Sequence, residues 1–174
     1  MTDFFPTVST WRIPELAYRL SFEEMAISGQ QGTEGIALWL GKIVDNHATI
    51  THVVGLRGPG IIRQPLFIQI ETFLMNDVAD LAIELGACLI GQVHSHPGAW
   101  VDLSETDRKY GIASPHYLSV VAPNFARKKD VPLDACGIHV YETKSGYRRL
   151  EEMEISKRLE LAGNEKTPFL SVGA

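Results

Sequence analysis

The chain has 174 residues, of which 45% are hydrophobic and 21% charged, and its formal net charge is −5. These values are typical of one globular domain that is large enough to bury a core without disulfides or structural metals. They argue against a nucleic-acid-binding protein, which usually carries a clustered basic surface, and against a membrane-spanning protein, which needs an apolar run of roughly 20 residues.

The first half of the chain predicts a helix, a hairpin and a second helix. Apolar residues recur between charged ones over residues 14–27, and a proline at the start suits the first turn of a helix. Residues 34–44 and 49–54 flank an Asp-Asn turn and predict a hairpin. Glycines and a proline predict a loop over residues 57–64, and apolar residues at helical spacing predict a helix over residues 68–85.

The second half predicts a buried strand over residues 87–93 and a helix over residues 104–113. Three strands and a terminal helix are expected after these, over residues 117–121, 135–142, 147–150 and 151–161. Glycines and a proline in the last dozen residues suggest a frayed end. Hairpins mixed with helices fit an α+β fold or an α-β-α sandwich.

We expect a single domain over residues 1–174, with its core over about residues 10–151 and a C-terminal tail over about residues 152–174. The N-terminus has neither the basic start nor the long apolar stretch of a signal peptide. A cytoplasmic protein without nucleic-acid or membrane partners is therefore expected.

Two histidines follow the predicted buried strand in the string His94-Ser95-His96-Pro97. Residues i and i+2 of a strand point to the same side, so the two imidazoles can converge on one point. Pro97 favours an extended conformation for the residue before it, which keeps the pair in register. Two histidines with this spacing alone are nevertheless more often hydrogen-bonded or exposed strand residues than metal ligands.

Asp107 can supply a third ligand from the predicted helix over residues 104–113. Two neutral imidazole nitrogens and one carboxylate oxygen suit zinc, and three protein ligands leave one coordination position open, as in catalytic zinc sites. Ser104 and Asp107 also fit a helix-capping box with the serine as N-cap. The two interpretations are compatible, because a capped first turn would hold the carboxylate still.

The complete pattern is His-x-His-Pro, six intervening residues and then Ser-x-x-Asp. It resembles the signature of the JAB/MPN (JAMM) metallo-isopeptidases at every defining position, and the resemblance extends over roughly residues 33–150. It implies a JAB1/MPN-type, cytidine-deaminase-like α-β-α sandwich in which helices flank a curved mixed sheet. It also implies one Zn²⁺ per chain, held by His94, His96 and Asp107.

The resemblance further implies catalytic roles for two residues. The family has a glutamate on an early strand, and Glu34 lies in the corresponding place, about sixty residues before His94. Glu34 would serve as general base and then general acid toward a water that the metal activates, and Ser104 would donate a hydrogen bond to the oxyanion. Trp100 either lines the groove for an extended substrate tail or only packs the loop that contains it.

JAMM enzymes typically cleave the isopeptide bond after the C-terminal glycine of ubiquitin or a ubiquitin-like protein. The chain resembles stand-alone bacterial members from ubiquitin-like conjugation operons, several of which act in antiphage defence. The resemblance therefore implies a ubiquitin-like protein or its conjugate as substrate, and E1-like and E2-like operon proteins as partners. Two alternatives stay open, namely a processing peptidase for a sulfur-carrier protein and a metal-free scaffold of the MPN type.

Overall fold

The computed structural model describes residues 7–173, which form four α-helices and eleven strands. The helices are α1 Glu15–Gly29, α2 Thr72–Glu84, α3 Glu105–Tyr110 and α4 Glu152–Arg158. The strands are β1 Thr10–Ile13, β2 Ile36–Val44, β3 His47–Leu56, β4 Ile61–Arg63, β5 Ile68–Ile70, β6 Cys88–Ser95, β7 Leu118–Ala122, β8 Gly137–Glu142, β9 Gly146–Arg149, β10 Leu159–Leu161 and β11 Phe169–Val172. Within this part of the chain, no helix combines the length and apolarity that crossing a membrane requires.

Nine strands form one mixed sheet in the order β10-β1-β3-β2-β6-β7-β8-β9, with β11 pairing beside β1 on β3. The hairpin β2–β3 closes at Asp45 and Asn46, which both have positive φ, as a tight hairpin turn requires. β6 lies between β2, to which it is antiparallel, and β7, to which it is parallel. The C-terminal ends of β6 and β7 therefore meet at one edge of the sheet.

The sheet buries both of its faces, and β2 shows this most clearly. Ala37 and Trp39 belong to a core cluster that includes the apolar side chains of α1. Leu38 and Leu40 belong to a second cluster that includes those of α2. Because successive strand residues point to opposite faces, the sheet lies between α1 and α2. The predicted α+β class with an α-β-α sandwich is thus confirmed.

The region before α2 differs from the prediction. The predicted loop over residues 57–64 contains β4, and the predicted helix over residues 68–85 begins only at Thr72. Residues 68–70 form β5 instead, which pairs antiparallel with β4. Residues 68–70 are too few to define a helical period by themselves, so the apolar spacing did not determine their structure. Their backbone hydrogen bonds to residues 61–63 make them a strand instead.

Within the described residues 7–173, the regions near both termini contain strands that the sequence did not predict. The terminal helix ends at Arg158, and β10 follows it and pairs with β1, a strand that the sequence pattern did not indicate. Residues 169–172 were expected to fray but form β11 on β3. β1 covers only the first residues of β3, which leaves the backbone groups near Val53 for β11 to bind.

Candidate metal centre

His94 and His96 lie at the C-terminal end of β6, in the middle of the sheet. The backbone N–H of His96 donates to the carbonyl of Ala122 on β7 at 2.9 Å, so the extended backbone continues past the end of β6. Both side chains therefore project to one side, as the spacing predicts. They are 3% and 4% exposed, and their Nε2 atoms lie 3.3 Å apart.

Asp107 reaches the two histidines from the first turn of α3. Its Oδ2 atom lies 3.3 Å from His96 Nε2 and 3.6 Å from His94 Nε2. The Ser104 hydroxyl donates to the same Oδ2 at 2.7 Å and accepts from the backbone N–H of Asp107 at 3.1 Å. The backbone N–H of Ser104 also donates to Oδ2, at 2.8 Å. The capping box is therefore present and holds the carboxylate against the histidines.

The spacing of the three ligand atoms fits a metal ion. A tetrahedral ion with ligands at about 2.0–2.1 Å separates neighbouring ligand atoms by about 3.3 Å. The three observed separations are 3.3, 3.3 and 3.6 Å. Within residues 7–173, His94, His96 and Asp107 are the one group of three or more His, Cys, Asp or Glu side chains close enough to hold such an ion.

The hydrogen bond on the far side of the His96 ring supports the same interpretation. His96 Nδ1 lies 3.2 Å from the backbone carbonyl oxygen of Trp100, which can only accept. Nδ1 therefore carries a hydrogen, and Nε2, which faces Asp107 and His94, is the nitrogen that could bind a metal ion once it has no proton. The Trp100 ring stacks on the His96 ring at a centroid distance of 5.4 Å and an interplanar angle of 17°. Trp100 thus packs against the candidate ligand His96, although the residue is 59% exposed.

Glu34 lies beside this cluster, two residues before β2 rather than within the predicted strand. The backbone N–H of Gly35 donates to Ser95 Oγ at 2.9 Å, and the N–H of Ser95 donates to the carbonyl of Gly35 at 3.0 Å. These bonds join the start of β2 to the residue between the two histidines. The Glu34 side chain is 3% exposed and lies near enough to His96 and Asp107 for their charges to shift its pKa.

A cavity of about 520 Å³ opens beside the cluster. Glu34, His94 and Asp107 form part of its polar wall. Much of the remaining lining is apolar or aromatic and includes Phe67, Met75, Leu103, Tyr110, Ile112 and Tyr147. The site therefore combines convergent polar groups with an apolar recess, which is the usual composition of a binding cavity.

Burial and the neighbouring charges shift the protonation equilibria of these groups. Burial raises the pKa of Glu34 to about 7, an effect that His96 reduces and Asp107 increases. Burial also acts to raise the pKa of Asp107, but the hydrogen bonds from His94, His96 and Ser104 hold it far below its ordinary value. The site therefore contains two different carboxyl groups. Asp107 stays ionised at neutral pH, whereas Glu34 gains or loses its proton near pH 7.

The raised pKa of Glu34 predicts how the stability of the metal-free protein changes with pH. The folded-state pKa of about 7 exceeds the ordinary value of 4.5, so stability is lost as pH rises through this interval. The difference corresponds to about 3 kcal/mol. We expect metal-free Glu34→Gln to exceed the wild type in free energy of unfolding by about 2–3 kcal/mol at pH 8 and to equal it at pH 4.

Urea unfolding of chelator-treated wild type and Glu34→Gln at several pH values measures this difference. Glu24→Gln is a suitable control, because Glu24 is also buried but pairs with Arg57 away from the cluster. An identical pH dependence of stability for the wild type and Glu34→Gln would contradict the raised pKa.

The sequence interpretation missed Gln92, which contacts His94, and Tyr117, which contacts Gln92. Gln92 places its amide nitrogen 3.4 Å from His94 Nδ1, and the Tyr117 hydroxyl donates to Gln92 Oε1 at 3.1 Å. Gln92 lies two residues before His94 on the same face of β6, so strand periodicity was a signal for it. Tyr117 lies 25 residues after Gln92 in the sequence, and only the pairing of β6 with β7 brings the two side chains together.

Comparison with known proteins supports the fold and the class of chemistry. No protein-family model matches the chain. The solution structure of protein DSY2949 from Desulfitobacterium hafniense has a TM-score of 0.58 and 16% identity, and the match covers 91% of this chain and 95% of that one, a likeness of fold alone. The "Probable metalloprotease y4jG" of Sinorhizobium fredii (strain NBRC 101917 / NGR234) is 34% identical over 116 residues, which are 65% of this chain and 68% of that protein. The chain therefore belongs to the metalloprotease family that includes the Sinorhizobium protein.

Proposed function

We propose that the chain is a zinc-dependent peptidase of the JAB/MPN (JAMM) type. It would cleave after the C-terminal glycine of a ubiquitin-like protein, either to remove the modifier from a target or to process its precursor, in a bacterial conjugation system of the antiphage type. One observation carries the proposal: His94, His96 and Asp107 converge beside the buried carboxyl group of Glu34. Membership of a metalloprotease family and the complete His-x-His-Pro and Ser-x-x-Asp pattern support it.

Zinc is the metal that this donor set favours, because it consists of two imidazole nitrogens and one carboxylate oxygen. When bound, zinc would lower the pKa of a water molecule and polarise the carbonyl group of the substrate. His94, His96 and Asp107 would hold the ion. The Trp100 carbonyl would keep the His96 ring in the tautomer that binds a metal.

Glu34 is the proton carrier in this proposal. A carboxyl group with a pKa of about 7 is partly ionised at neutral pH, so it can accept a proton from water and return it to the leaving nitrogen. Glu34 lines the same cavity as His94 and Asp107, which supports this role. The low exposure of Glu34 limits competing exchange of this proton with bulk water.

Ser104 would donate to the developing oxyanion. Its single hydroxyl hydrogen points at Asp107 Oδ2 in this structure, so the hydroxyl must rotate about its C–O bond to reach a substrate. Asp107 Oδ2 would keep the hydrogen bond from the backbone N–H of Ser104. A nucleophilic role is disfavoured, because the hydrogen-bond partner of the hydroxyl is a carboxylate with a very low pKa rather than a histidine base.

Cleavage of a ubiquitin-like protein fused through its Gly-Gly terminus to a reporter tests the proposal. We expect the purified full chain to release a product that ends in Gly-Gly, to lose this activity after chelation and to regain it with added zinc. A sulfur-carrier fusion in a parallel reaction distinguishes the two substrate classes. Mass spectrometry identifies the cleaved bond. Cleavage that persists in the presence of chelator, or at another bond, would contradict the proposal.

A further inference from the structure

We propose that His139 and Asp102 form a positioning pair that fixes the segment over residues 97–104. This segment joins the candidate ligand His96 to helix α3 and is called the ligand loop below. The inference rests on the metal site of the proposed function and deepens it. Neither residue of the pair is a candidate ligand or lines the cavity, so the pair would act through other residues. Its role would be to hold the ligand loop, and through it Asp107, in the position that binds the metal.

The histidine of the pair is completely buried. His139 lies on β8 with 0% exposure, and its Nε2 atom lies 2.8 Å from Asp102 Oδ1. A carboxylate can only accept, so Nε2 carries the hydrogen and donates it to the ligand loop. Burial lowers the pKa of His139, although Asp102 acts to raise it. The lowered pKa favours the neutral ring. A buried imidazole thus reaches outward from the sheet to hold one carboxylate of the loop.

Asp102 connects three parts of the molecule through one oxygen atom. Its Oδ1 accepts from His139 on β8, from the backbone N–H of Leu103 and from Arg108 Nη2 on α3, each at 2.8 Å. Arg108 directly follows Asp107, and its Nη1 donates to the carbonyl of Tyr147 on β9 at 2.8 Å. Both the ligand loop and the helix that carries Asp107 are therefore tied to the β8–β9 edge of the sheet.

The close approach of the backbones is an independent observation of the same attachment. A side chain at Gly137, the first residue of β8, would place its Cβ 1.7 Å from the carbonyl oxygen of Val101 in the ligand loop. Real Cβ atoms essentially never come this close to another atom, so the loop lies directly on β8. Leu103 packs in a small apolar cluster with Tyr117 and Tyr147 beneath it.

The ligand loop in turn controls two of the three candidate ligands. The Trp100 carbonyl, in the loop, accepts from His96 Nδ1 and orients that ring. Ser104, at its end, caps α3 and holds the Asp107 carboxylate. Loss of the bond between His139 and Asp102 would let both constraints relax. Residues that orient metal ligands typically change metal affinity by about 10–100-fold when they are removed.

Zinc affinity of the purified full chain, measured by competition with a chromophoric chelator, tests this role. We expect Asp102→Ala and His139→Leu to bind zinc about 10–100-fold more weakly than the wild type. His139→Gln should recover affinity to within a few-fold, because the amide nitrogen of glutamine can donate from nearly the position of His Nε2. Tyr18→Phe is the control: it removes a buried hydrogen bond to the Val131 carbonyl outside the site and should bind as the wild type does.

Hydrogen exchange of the metal-free proteins supplies a second readout. The amide of Leu103, which donates to Asp102, should exchange faster in His139→Leu and at the wild-type rate in Tyr18→Phe. Should His139→Leu fail to fold, the comparison rests on Asp102→Ala, because the Asp102 side chain is 33% exposed and is not part of the apolar core.

Separate results identify separate failures. Wild-type zinc affinity in Asp102→Ala would overturn the positioning role alone. A wild-type chain that binds no zinc would overturn both the positioning role and the proposed metal site. A wild-type chain that binds zinc but leaves every Gly-Gly fusion intact would overturn the proposed peptidase, while the weaker zinc binding of the variants would still support the positioning role.

Discussion

Glu34→Gln is expected to lower kcat for cleavage of a Gly-Gly fusion by about 10²–10⁴-fold, the contribution typical of a general acid–base group. The amide has nearly the shape of the carboxyl group but cannot accept a proton. Glu34 is not one of the three candidate ligands, so zinc affinity and KM should change little. A loss confined to kcat is the expected sign of an interaction made in the transition state.

The matched control is again Glu24→Gln, which alters a buried glutamate that pairs with Arg57. This variant should lose stability but keep the wild-type kcat. If Glu34→Gln cleaves at the wild-type rate, Glu34 is not the proton carrier. If Glu34→Gln loses zinc together with activity, Glu34 belongs to the ligand set instead.

Asp107→Ala is expected to weaken zinc binding by more than about 100-fold, which exceeds the usual effect of an orienting residue. The substitution removes one of three ligand atoms and leaves two imidazoles, with Nε2 atoms 3.3 Å apart, to bind the ion. It also removes half of the capping box, which should cost about 1 kcal/mol of stability. Equilibrium dialysis against buffered zinc measures the affinity, and urea unfolding measures the stability.

Ser104→Ala separates the two consequences of Asp107→Ala. It removes the N-cap and should therefore cost a similar free energy of about 1 kcal/mol, but it leaves every candidate ligand in place. Its zinc affinity should fall by about 10–100-fold, as for a residue that orients a ligand, and therefore by less than that of Asp107→Ala. Equal losses of zinc affinity in Ser104→Ala and Asp107→Ala would show that the carboxylate acts only as part of the cap.

The sequence was informative where a local pattern coincides with the tertiary arrangement. The spacing of His94 and His96 places both on one side of an extended strand, and this holds whatever the rest of the chain does. The Ser-x-x-Asp spacing likewise defines a helix start through bonds between residues 104 and 107. For the same reason, long segments with a clear period, such as α1 and the β2–β3 hairpin, were predicted correctly.

Features that depend on long-range pairing could not be predicted in this way. β1, β10 and β11 contain three or four residues each, too few to show a period, and they exist because their partners in the sheet lie far away in sequence. The contact of His139 with Asp102 spans 37 residues and matches no motif. No local pattern therefore connects His139 with the ligand loop.

Anomalous diffraction at the zinc edge, from crystals of the full chain grown with zinc, tests most directly whether His94, His96 and Asp107 hold the metal. We expect one strong peak per chain, about 2.0–2.2 Å from His94 Nε2, His96 Nε2 and a carboxylate oxygen of Asp107. The peak should remain in Glu34→Gln and be much weaker in Asp107→Ala. A peak held by other residues, or no peak at these three side chains, would overturn the proposed zinc site.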